Sequence, residues 1–432
     1  MIHFLLFTVS ILLVISFLRK DRYIFSPSVL VCYSFVLAIS CAILNVKIWN
    51  IDLGFDTYLI IVLGLIFFCI GDNSKVPQIT SFKITRKYIE IPFSVTFFIS
   101  IISAICTYLY YTEMMRIAFL SVSVYSTPDE LMNAFRSQMM FSEDSNAKIS
   151  QFVVWGATYV AVAAQIYLFV FIYNIIAKVD FFRNSLNFLP IIIYVIQSLM
   201  SGGRGSLLAF IASAIFFILI IVGIKRGALF QISLKQLYRI VCVMCICLYL
   251  FYTIRILVGR IGTEDVSLFD YLSEYIGASI QNLDMYVKHP ETKDKMFGEE
   301  TFSGIYELVG KITQTVHISN LEFRYTSSGI SMGNVYTAFR RYFHDFSWLG
   351  IIVIPFFMSR VYSYLNNRLI YRQTEFAQSS LYLIIYSFFL KSQIMMGMED
   401  YFFIELFRVG FLIKLIMTII MFRFVMKKYY YE

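Results

Sequence analysis

Gly333-Asn334-Val335-Tyr336-Thr337-Ala338-Phe339-Arg340-Arg341-Tyr342-Phe343-His344-Asp345 closes one long polar stretch, Gly259 to Asp345, in a chain that otherwise alternates apolar runs with short basic connections. A single oversized charged loop among apolar runs marks the membrane face on which chemistry is expected. Around it, composition sets the solvent. Of 432 residues 59% are hydrophobic, and mean hydropathy is +0.72. Apolar runs of about 18 residues or more read as transmembrane helices. The expected fold is therefore an all-α polytopic membrane protein, with residues 1–432 forming a single integral membrane domain.

About eleven transmembrane helices are expected, at roughly 2–18, 24–44, 53–71, 92–112, 151–176, 188–200, 206–224, 240–258, 347–365, 378–394 and 401–424. The sixth is short for a hydrocarbon core of ~30 Å. It runs into Ser201-Gly202-Gly203-Arg204-Gly205, which reads as a bend. The odd-numbered connections are short and basic: Arg19, Lys20 and Arg22 in the first, Lys75, Lys83, Arg86 and Lys87 in the third, Lys225, Arg226, Lys235 and Arg239 in the seventh. By the positive-inside rule these face the cytoplasm. The N-terminus is then outside, the C-terminus inside, and the connections 113–150 and 259–345 lie on the outer face with Arg204.

The net charge of +8 thus reads as a cytoplasmic anchor, and no nucleic-acid partner is expected. Residues 1–18 do not read as a cleavable signal peptide, because the positive charges follow the apolar run. All seven cysteines fall in apolar spans, so no disulfide framework is expected. Cys242 and Cys245 form a C-x-x-C without a neighbouring histidine, which gives a zinc or redox role little support.

Short elements are legible in the outer connections. Thr127-Pro128-Asp129-Glu130 is a capping box with proline in the first turn, so a helix is expected after it. Leu268, Leu272, Ile276, Ile280, Leu283 and Val287 recur at three- and four-residue steps. That makes 267–287 an amphipathic helix, expected to lie on the outer surface or to cap a cavity. A second short helix is expected near 302–311, and a turn over 329–334.

No P-loop, G-x-G-x-x-G, H-E-x-x-H, G-x-S-x-G or D-x-D pair is present, which removes support for the soluble nucleotide-using classes and for a metal. No cofactor is expected. Outer-face arginines are the positive signal. Arg255 lies within an apolar span, where a central arginine costs about 2.5–3.5 kcal/mol on insertion scales, so it is expected to face a cavity or a partner. Arg204 sits among glycines at the start of the next span, and the free N–H groups there favour an anion. If residues 336–345 are helical, Tyr336, Arg340 and His344 share one face, while Arg341 and Asp345 form a second i, i+4 pair. His344 is a candidate general base, and Asp345 is either a second candidate or the partner of Arg341. His289 and His317 are weaker candidates. Glu399 and Asp400 read as a solvated loop.

Four stretches together resemble the Wzy-type O-antigen polymerases, the oligosaccharide repeat-unit polymerases of bacterial inner membranes: Ser201 to Gly205; Glu274-Tyr275-Ile276-Gly277-Ala278-Ser279-Ile280; Gly298-Glu299-Glu300-Thr301-Phe302 leading to Gly310; and Gly333 to Thr337 through Arg340 to Asp345. The order of spans and the large late loop match across nearly the whole chain. The resemblance implies a GT-C-like membrane glycosyltransferase of lipopolysaccharide biosynthesis, with 113–150 and 259–345 as periplasmic loops. It implies transfer of a growing glycan from undecaprenyl pyrophosphate onto a fresh lipid-linked repeat unit, and it leaves room for a chain-length regulator as partner. In that chemistry the departing diphosphate needs cations. Arg204, Arg255, Arg340 and Arg341, with Tyr336 beside them, are the expected pyrophosphate and substrate contacts. Unit charges ~4 Å apart gain about 4 kcal/mol at an effective dielectric near 20, so two or three arginines suffice without a metal. His344 or Asp345 is expected to take the acceptor's proton. Two alternatives share the cationic requirement: a lipid-linked oligosaccharide flippase and an O-antigen ligase.

Overall fold

The structure is a computed structural model, and it describes residues 1–75, 89–123, 126–141, 148–178, 184–201, 204–226, 249, 253, 268–290, 296–313, 321–371 and 376–426. It is 78% helical. The helices are α1 (Ile2–Arg19), α2 (Pro27–Leu44), α3 (Phe55–Gly71), α4 (Phe93–Ala118), α5 (Pro128–Phe141), α6 (Gln151–Ile176), α7 (Leu189–Met200) and α8 (Arg204–Arg226). Further along are α9 (Leu268–Lys288), α10 (Ser303–Thr313), the hairpin strands β1 (Arg324–Tyr325) and β2 (Ser331–Gly333), then α11 (Ala338–Tyr371), α12 (Phe376–Ile394), α13 (Tyr401–Leu406) and α14 (Val409–Met426). Among the described residues seven helices are long and apolar enough to cross a membrane, and α3, α7 and the body of α12 are shorter apolar helices. The chain is a helical membrane protein.

Helices occupy the apolar runs expected from sequence, except 240–258, which lies almost wholly outside the described residues. Two runs are subdivided. α11 begins before its apolar run and is broken at Ser347, whose φ of 53° and ψ of −144° leave the helical region. Gly350 makes that break feasible: a Cβ there would stand 2.2 Å from the Tyr342 carbonyl oxygen, so only glycine admits the fold-back. The run expected at 401–424 splits into α13 and α14 at Phe407 and Arg408, where Arg408 reaches Glu307 of α10 at 2.8 Å.

The chain forms two compact units. One comprises Met1–Gln78, Ser267–Arg372 and Phe389–Phe411, and the other Ile79–Val266, Gln373–Phe388 and Leu412–Glu432. In the second unit α6 packs against α4, α7 and α8. Because hydrocarbon gives no net hydrophobic drive between spans, polar side chains join them. Gln165 Nε2 donates to Ser387 Oγ at 2.6 Å, and the Tyr167 hydroxyl to Thr96 Oγ1 at 3.2 Å. The capping box forms as expected. The Thr127 N–H donates to Glu130 at 2.9 Å and the Glu130 N–H to Thr127 Oγ1 at 3.4 Å. Leu131, Ala134 and Phe135 of α5 then bury against Tyr110, Met114 and Ile117 of α4.

In the first unit α11 packs along α3, and α9 along α2. α9 forms where its periodicity placed it, but it is neither a surface float nor a free cap: Ala278, Ile280, Leu283 and Tyr286 are buried. At Gly277 a Cβ would stand 2.6 Å from the Ala42 backbone nitrogen, so this glycine sets how closely α9 and α2 approach. Asp284 then fastens α9 to the start of α3. It accepts from the Gly54 N–H at 2.7 Å and from Thr57 Oγ1 at 2.8 Å, bracing the first turn of α3 against α9. The turn expected over 329–334 falls earlier: the hairpin bends over Thr326–Ile330, with Gly329 at φ 80°, and Ser331–Gly333 is strand β2.

Candidate functional site

α9, the 296–302 loop, the hairpin and the first turns of α11 bring buried charges together in the first unit. Arg340 is at its centre, 1% exposed. Its guanidinium is salt-bridged to Glu300 and, at 2.6 Å, to Glu322. It also lies over the Tyr286 ring at 4.3 Å and the Tyr336 ring at 5.2 Å. A buried cation is tolerable only with such compensation, because the desolvation cost of each ion is several kcal/mol.

His344 stands one helical turn on. Its Nδ1 is 2.6 Å from the Tyr286 hydroxyl, and its Nε2 is 3.4 Å from Glu300 Oε1. Burial pushes the Tyr286 phenol up, against the pull of Arg340. A carboxylate only accepts, so a neutral imidazole carries its N–H on Nε2 toward Glu300 and accepts the Tyr286 hydroxyl at Nδ1. Tyr286, His344, Glu300 and Arg340 thus form a continuous polar line.

The surrounding residues hold this line in place. Arg324 pairs with Glu322 at 3.0 Å and donates to the Met285 and His289 carbonyls at 3.1 and 3.0 Å, closing the C-terminal end of α9. The Tyr336 hydroxyl accepts from Arg324 Nε at 3.0 Å and donates to the Glu322 carbonyl at 3.1 Å. Burial raises the Tyr336 phenol, and the nearby Glu322 charge raises it further. Asp345 accepts from the Thr301 N–H at 2.7 Å and the Glu300 N–H at 3.4 Å. It therefore secures the loop that carries Glu300, which turns at Gly298 with φ +67°.

Arg341 faces a second acidic group. It approaches Glu399 Oε1 at 3.3 Å and donates to the Glu300 carbonyl at 3.1 Å. Glu399 and Asp400 are not the solvated loop expected from sequence. Asp400 is 1% exposed and caps α13 by accepting from the Phe402 and Phe403 N–H groups at 3.1 and 3.2 Å. Burial pushes its carboxyl up to about 7 despite the opposing pull of Arg341 and those N–H groups. The connection is pinned at both sides: Gly397 N–H donates to Ser34 Oγ at 2.9 Å, and Ser279 Oγ donates to the Gly397 carbonyl at 2.7 Å.

Of the residues singled out from sequence, Tyr336, Arg340, Arg341, His344 and Asp345 are thus gathered in one place. The helix starts at Ala338, so Tyr336 reaches Arg340 from the preceding turn and not from a shared helical face. Asp345 meets the 300–301 backbone, and Arg341 meets Glu399, in place of the pairing between the two. Arg204 begins α8 in the second unit, and Arg255 lies outside the described residues. Sequence reasoning missed Tyr286, Glu322, Arg324 and the role of Glu300. Glu300 sits in a stretch that carried the family resemblance, and Tyr286 follows Leu283 by one turn of an amphipathic helix. Glu322 carries no local signal at all. Among the described residues no group of three or more His, Cys, Asp or Glu side chains is arranged to hold a metal. No family model, curated protein or solved structure matches this chain.

Proposed function

We propose that the chain is a membrane glycosyltransferase of the surface-polysaccharide polymerase type, working at the outer, periplasmic face of a bacterial inner membrane. It takes a growing glycan from undecaprenyl pyrophosphate and joins it to a hydroxyl at the non-reducing end of a new lipid-linked repeat unit. The observation that carries this reading is the Tyr286–His344–Glu300–Arg340 line, a buried proton-handling array built on a polar segment between apolar helices.

In this reading Glu300 is the base. Its side chain is 14% exposed, against 7% for His344 and 1% for Arg340, so it is the member of the line a substrate hydroxyl reaches. The acceptor oxygen attacks the anomeric carbon, its proton passes to Glu300, and the bond to the diphosphate oxygen breaks with both electrons leaving on the diphosphate. His344 orients the Glu300 carboxylate through Nε2–H, and Tyr286 fixes the histidine tautomer. General-base assistance of this kind contributes about 10²–10⁴-fold. Asp345, with its oxygens on the 300–301 backbone, is a positioning residue.

Arg340 is matched by two carboxylates, so its charge serves the cluster first. In the first unit the diphosphate contact falls to Arg341; for Arg204 and Arg255 a substrate role is an expectation drawn from sequence alone. Among the described residues the two units also differ in their helices and hairpin content, whereas transporters built on repeats pair similar halves. The test is reconstitution of the full chain with defined diphosphate-linked repeat units. A ladder of products is expected from the protein alone; complete consumption without any product longer than one unit, or lipid translocation without bond formation, would remove the reading.

A further inference from the structure

We propose that Phe297 and the outer face of α10 are inserted into the headgroup–acyl boundary of the membrane that the chain spans, forming a lipid-wetted lip beside Glu300. α10 is amphipathic, and one of its sides is exposed among the described residues. Ile305, Leu308 and Val309 share a face at i, i+3 and i+4, and they are 39%, 39% and 46% exposed. The opposite face is engaged: Gly304 packs on the backbone of Phe407 and Arg408, and Glu307 pairs with Arg408. Just before α10, Phe297 is 79% exposed and Met296 47%.

What covers this face follows from where it is attached. Phe302 touches Phe407 with ring centroids 5.9 Å apart, two residues before the apolar helix α14 begins at Val409. It also touches Phe346 at 6.0 Å, and Phe297 touches the same Phe346 at 5.1 Å. Phe346 immediately precedes the Ser347 break, after which the apolar body of α11 starts with Trp348 and Leu349. The exposed face therefore sits at the mouths of two membrane-crossing helices. Leu349, at the start of the apolar body of α11, is likewise 67% exposed. Apolar side chains at that level, with aromatic residues among them, belong to the interfacial zone of a bilayer. Left in water, such a patch is an aggregation liability.

The lip has a consequence that rests on the proposed function. Phe297 and Glu300 are three residues apart on one loop. A substrate whose polyprenyl tail stays in the bilayer thereby arrives at the base sideways from the lipid.

Trp fluorescence in vesicles tests the insertion without reference to catalysis. Phe297→Trp and, separately, Leu308→Trp are introduced into the full chain, reconstituted in phosphatidylcholine vesicles, and the parent's emission (Trp49, Trp155, Trp348) is subtracted. Bromines are placed either shallow or deep along the acyl chain. The expected result is blue-shifted added emission that loses most of its intensity to shallow bromines and little to deep ones. Red emission that no bromolipid quenches, meaning water, overturns the proposal. So does blue emission that none quenches, meaning a second copy or another protein on this face, and so does preferential quenching by deep bromines. The access step has its own readout. Leu308→Glu with Val309→Glu is expected to raise KM several-fold for a long-tailed donor, with kcat unchanged and no KM change for a short-tailed analogue. Equal KM shifts for both donors would refute sideways access. A parent protein that makes no ladder would refute the polymerase reading while leaving the fluorescence result standing.

Discussion

The first unit contains two buried charged clusters that look alike in composition and differ in how they are closed. Around Asp72, one carboxylate receives Ser26 Oγ at 2.7 Å, Ser28 N–H at 3.0 Å, Ser74 N–H at 2.8 Å and Ser363 Oγ at 2.9 Å, with Lys20 at 3.1 Å. Its side chain is fully buried and that of Lys20 6% exposed. Burial alone would raise the Asp72 carboxyl; Lys20 with Ser28, Ser74 and Ser26 outweighs it and holds it down at about 2. This is a clasp joining the ends of α1, α2, α3 and α11. Around Arg340, by contrast, charges are matched across a line that remains 11–14% open at Glu322 and Glu300 and that contains a histidine and a phenol. A saturated cluster stabilises; on the proposed reading, the cluster with a partly open carboxylate and a histidine and phenol behind it serves proton transfer.

Removing Arg340 should show the difference most strongly. Sequence alone leads one to expect Arg340→Ala to spare the fold, but it strands two buried carboxylates. A loss of about 3–5 kcal/mol is expected, read as a lowered unfolding midpoint in detergent together with lost chain extension. An unchanged midpoint would return Arg340 to a purely substrate-binding role. Asp72→Ala should cost about as much or somewhat less by stranding Lys20, with turnover per folded molecule retained. Lost turnover at normal stability would break the distinction between clasp and site.

The acids also differ in pH response. Because Asp72 lies below its ordinary value of 3.8, its contribution is complete above that value and disappears as pH falls through about 2. Asp400 is shifted the opposite way, so its contribution is complete below 3.8 and is lost as pH rises through about 7. Asp400→Asn keeps the cap on α13 and should flatten the stability slope between those values; an unaltered slope would show that another group titrates there. The smallest effect is expected for Tyr286→Phe, about 1 kcal/mol in transition-state stabilisation and roughly fivefold in kcat. Its KM should stay fixed, and a changed pH–rate profile is the mark of a relay.

Much of this fold was legible because membrane helices announce themselves by length and apolarity. The capping box at Thr127–Glu130 and the periodicity of α9 were local signals of equal clarity. The breaks at Ser347 and Phe407 were not, since they arise where Gly350 meets Tyr342 and where α10 engages Arg408. The site was half legible. Arg340, Arg341, His344, Asp345 and Tyr336 lie close in sequence, so they could be seen together. Their partners Tyr286, Glu300, Glu322 and Glu399 come from four distant segments, and only tertiary packing chooses them. The burial of Asp400 had a faint cue in its flanks, Met395-Met396 on one side and Tyr401-Phe402-Phe403 on the other.

The claim that Glu300 takes the acceptor's proton is tested most directly by Glu300→Gln, which keeps the shape, removes the basicity and leaves one oxygen to accept where the carboxylate accepts from both Arg340 and His344. With reconstituted full-length protein and defined diphosphate-linked repeat units, the expected result is a loss of extension rate of about 10²–10⁴-fold per folded molecule, read below the variant's lowered unfolding midpoint. Product ladders formed by Glu300→Gln at the parent's rate would contradict it.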